Sequence, residues 1–119
     1  MIDATKAKHV STVARELAKD IRDDKVQPGH SRLVDGEGLP CCSMGHLLIR
    51  AGIPFDRLDN PIVPLSAFIG SPYGSVYRAI TWIIGRNDGL DSSYSGRPSA
   101  IAHGLENLAT ALDALGYTP

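Results

Sequence analysis

A chain of 119 residues, 43% of them apolar and 21% charged, is large enough for one hydrophobic core and small for a division into several domains, so a single globular domain over 1–119 is expected. The same balance excludes an intrinsically disordered chain, which would be poorer in apolar side chains and richer in net charge. Twelve basic residues against thirteen acidic ones leave a formal charge of −1, and no global field draws the protein onto nucleic acid or an anionic membrane.

Val10, Val13, Ala14, Leu17, Ala18 and Ile21 fall at helical spacing and predict a first helix over about residues 4–23, with Asp3 as its cap. Lys6, Lys8 and Arg15 on this helix alternate with Glu16, Asp20, Asp23 and Asp24, a pattern that reads as a solvated face of mixed charge. Residues 25–39 hold Pro28, Gly29, Gly36 and Gly38 around the apolar pair Leu33 and Val34. They read as a long irregular connection or as one short hairpin near residues 30–39.

Pro40 suits a first helical turn, and Met44, Leu47, Leu48 and Ala51 lead to Gly52, a residue suited to the left-handed position after a helix. The prolines of 53–71 predict a packed connector with one helical turn at Leu65–Ile69. Ser71-Pro72 then opens a third long helix through Val76, Ile80, Ile83 and Ile84, ending near Gly85–Gly89. A polar loop follows at 87–97. Pro98 starts the last helix, in which Ile101, Leu105, Leu108, Leu112 and Leu115 alternate steps of four and three before Gly116. The fold class expected is mainly α, a compact bundle of about four helices with long irregular connections.

The beginning of the sequence lacks the basic segment and apolar run of a secretory signal, and no stretch approaches the ~18 apolar residues that span a bilayer. A cytoplasmic protein is expected, in the host cytoplasm if the chain is viral. Cys41 and Cys42 are adjacent, a geometry that disfavours a mutual disulfide, and two free thiols agree with a reducing compartment.

Cys41-Cys42-Ser43-Met44-Gly45-His46 is the strongest chemical candidate. A thiol in the first turn of a helix feels the positive end of the helix dipole, and Cys42 and His46, four apart, share a face. The opposing reading is that cysteine is a residue of cores and that Met44, Leu47 and Leu48 carry this helix into one. His9, His30, His46 and His103 show no paired spacing, so neither a metal nor a cofactor is expected. Asn87, Asp88 and Asp91, with Tyr94 and Arg97, form a polar stretch that reads first as turn chemistry and second as a binding surface. It lacks the alternating acidic positions of a calcium loop.

Cys42-Ser43-Met44-Gly45 opening a helix, an apolar helix holding Trp82 and followed by Asn87-Asp88, and a final amphipathic helix together resemble a family of small uncharacterised proteins from actinobacteria and bacteriophages. That family carries Cys-x-x-Gly and Trp-Asn-Asp segments; here four residues separate Trp82 from Asn87. The resemblance implies a helical fold and no established activity.

The leading expectation is a non-enzymatic protein-binding module, phage-encoded, acting on a host protein such as a defence-system component, with neither nucleic acid nor membrane as partner. A second reading, from a different class, is a cysteine-dependent hydrolase or transferase with Cys42 as nucleophile, His46 or His103 as base and Asn87 or Asp88 as orienter. A third is a structural subunit that forms a homo-oligomer through the Ile101–Leu115 face.

Overall fold

Asp3 has an extended backbone and its carboxylate accepts the Lys6 backbone N–H at 3.1 Å, satisfying one of the free donors of the first turn. The helix it starts, α1, runs over Ala4–Arg22. It ends through Asp24, whose φ of 61° is left-handed: the Asp24 N–H reaches the Ile21 carbonyl at 3.2 Å and the Lys25 N–H reaches that of Asp20 at 2.8 Å. These two bonds occupy carbonyls that the last turn leaves open. The expected limits of this helix agree with the structure to within one residue.

The computed structural model describes residues 3–26, 42–55, 62–70 and 98–116. Among them the chain is mainly helical, with three further helices: α2 (Ser43–Ala51), α3 (Ile62–Ile69) and α4 (Pro98–Gly116). The hairpin expected near 30–39, the third long helix from Ser71 and the polar stretch 87–97 lie outside the described residues.

Two expectations for α2 and α3 need correction. The helix expected from Pro40 has its first residue at Ser43, and Cys42 precedes it as the N-cap in extended conformation (φ −97°, ψ 172°). The single turn expected at Leu65–Ile69 is an eight-residue helix. Pro64 is its third residue, where the missing N–H would have had no partner within the helix. At the other end of α2 the structure follows the sequence: Gly52 is left-handed at φ 72°, and Gly52 and Ile53 donate to the Ile49 and Leu48 carbonyls at 3.1 and 3.0 Å.

The apolar stripe of α1 is wide because α1 packs against all three of the other described helices. Ala7, Val10, Ala14, Leu17 and Ala18 are fully buried on it, as are Ile101, Leu105, Leu108 and Leu112 on α4. Burying a valine, leucine or isoleucine side chain contributes about 1.5–3 kcal/mol. The face of α4 proposed for oligomerisation is therefore consumed inside the chain at these four positions.

Polar pairs give the direction of α4. Ser11 and Arg15, in the middle of α1, meet Asp113 near the end of α4, whereas Arg22, the last residue of α1, meets Glu106 in the middle of α4. The helices are antiparallel, with their C-terminal halves side by side. The N-terminal end of α1 is left for α3, through Asp3 N–H to the Ile69 carbonyl at 2.8 Å and the Lys6 ammonium 5.0 Å from the Phe68 ring centre.

Candidate functional site

Cys42 and His46 occupy the first turn of α2 and the residue before it. The Cys42 carbonyl accepts the His46 backbone N–H at 3.0 Å, the first hydrogen bond of the helix, so the two residues stand one turn apart as the spacing predicts. The Cys42 thiol makes no capping bond to the turn, unlike a serine or aspartate in this place. Its side chain is instead buried, at 8% exposure, in the core that also holds Met44, Leu47 and Leu48. Cysteine as a small hydrophobe accounts for this position.

His46 is half-buried. Burial pushes its imidazole below the usual histidine range, and the nearby Arg50 guanidinium pushes it further the same way, so the ring is neutral near pH 7. A neutral imidazole one turn from a thiol has the chemistry of a proton acceptor, and the burial of Cys42 opposes its use as a nucleophile.

The end of α2 is tied to α1 at two places. His9 Nε2 lies 3.0 Å from the Ala51 carbonyl, so that nitrogen carries the proton and donates to the C-terminal turn of α2. Arg50 donates to Asp20 at 2.9 Å. His9 and Asp20 are about 16 Å apart along α1 at 1.5 Å per residue, so α2 ends over the middle of α1.

The polar group that sequence reasoning missed lies between α1 and α4. Asp113 Oδ1 is 2.6 Å from the Ser11 hydroxyl and 3.7 Å from the Lys8 ammonium, and Asp113 Oδ2 is 2.6 Å from the Arg15 guanidinium. Ser11 is fully buried and its hydroxyl also lies 2.9 Å from the Lys8 carbonyl. The hydrogen bonds from Ser11 and Arg15 hold the Asp113 carboxyl below the usual carboxylate range. Lys8 and Arg15, exposed as the sequence leads one to expect, also serve as interhelical partners. The available signal was Ser11 itself, a polar residue on an otherwise apolar stripe.

Of the residues proposed for the enzyme reading, Cys42 and His46 stand one helical turn apart, and His103 is exposed on α4. Cys41, His30, Asn87, Asp88, Asp91, Tyr94 and Arg97 lie outside the described residues. Among the described residues no group of three or more His, Cys, Asp or Glu is placed to hold a metal ion, and no helix is long and apolar enough to cross a membrane. No protein-family model matches the chain, and neither a curated protein nor a solved structure matches it.

Proposed function

We propose that this chain is a small cytoplasmic protein-binding module that acts by docking on a partner protein. The observation that carries this reading is the burial of Cys42: the side chain with the most reactive potential is spent on the core of α2. The polar stretch with Asn87, Asp88, Asp91, Tyr94 and Arg97 supplies the binding surface in this reading. Its most concrete form is a bacteriophage protein that binds a component of a host defence system, supported by the resemblance to small proteins of actinobacteria and bacterial viruses.

Iodoacetamide labelling of the native protein between pH 5 and 9, resolved by mass spectrometry at Cys42, tests the reading. Protection of Cys42 until the chain is unfolded is the expected result. Labelling of native Cys42 at neutral pH much faster than a free thiol overturns it in favour of a cysteine-dependent hydrolase or transferase, with His46 as base. In the first case, alanine replacement of Asp88, Tyr94 and Arg97 together is expected to abolish partner capture while leaving the helical content unchanged.

A further inference from the structure

We draw no further inference here: the strongest candidate, the apolar surface that Val63 and Ala67 expose on the uncharged helix α3, carries nothing because nothing among the described residues shows what covers it.

Discussion

Where α4 lies along α1, two nineteen-residue helices share an apolar seam with an edge of ion pairs, Arg15–Asp113 and Arg22–Glu106, both at 2.6 Å. Where α2 meets α1, a nine-residue helix is held at its C-terminal end, by the left-handed Gly52, by His9 on the Ala51 carbonyl and by Arg50 on Asp20. The difference is one of length. A long amphipathic helix gains enough from packing to tolerate weak ends, whereas a helix of two and a half turns lies below the length at which propensity alone sustains it. The first region should respond most to lost volume and the second to changes at termini and in charge.

Truncation of the seam has the largest expected effect. Leu105→Ala and Leu108→Ala each remove a fully buried side chain, and each should lower unfolding stability in urea by about 2–5 kcal/mol. A loss under about 1 kcal/mol at both positions breaks the comparison, because the seam would then not be the frame of the fold.

Asp113→Asn sharpens it. The carboxylate receives Ser11 and Arg15, and hydrogen bonds to charged groups contribute about 1.5–3 kcal/mol each in favourable settings, so a loss of about 1–3 kcal/mol at pH 7 is expected for this partly exposed group. Its folded pKa lies below the reference 3.8, so the stability it supplies is present above that pH and disappears as pH falls through and below it. Acid titration of the variant should therefore show a shallower loss of stability below about pH 4 than the parent.

Replacing the cap, Asp3→Ala, removes the acceptor of the Lys6 N–H and should cost about 0.5–2 kcal/mol by the same urea measurement. The backbone bond from Asp3 to Ile69 survives the substitution, so α3 should stay docked. Increased amide exchange confined to the first turn of α1 is the expected pattern, and loss of protection throughout α3 would show that the cap carboxylate also holds that helix.

The two regions differed in how much of them could be read from sequence. The limits of α1 and α4 were legible because their apolar periods run over many turns and start at Asp3 and Pro98. The end of α2 was legible because Gly52 names a left-handed residue. Its start was not: Cys42 caps without a capping bond, and cysteine at an N-cap carries no compositional signal. The length of α3 was hidden by Pro64, which reads as a breaker until its place in the first turn is known. The one-turn relation of Cys42 to His46 was legible, but burial of the thiol depends on packing that no local spacing encodes. Ser11 and Asp113 are 102 positions apart; their meeting follows from the antiparallel stagger of two helices, which pattern within each helix does not specify.

The smallest effect expected tests the charge sensitivity of α2. His46 titrates below its reference of 6.5 because burial and then Arg50 disfavour its cation. Between that reference and the folded value the unfolded chain binds more protons than the folded one, so the contribution of neutral His46 is complete above about pH 6.5 and is lost as pH falls. His46→Gln keeps a polar side chain without a titrating ring and should flatten the fall in stability between pH 7 and pH 5 while leaving the acid limb of Asp113 in place. Arg50→Gln acts in two opposed ways: it relieves the repulsion on His46 and removes the partner of Asp20. Its stability at pH 7 should decrease while the slope between pH 7 and pH 5 becomes gentler. If the slope is unchanged in both variants, half-burial of His46 exerts no measurable linkage, and α2 is held by its backbone terminus and not by the charges around it.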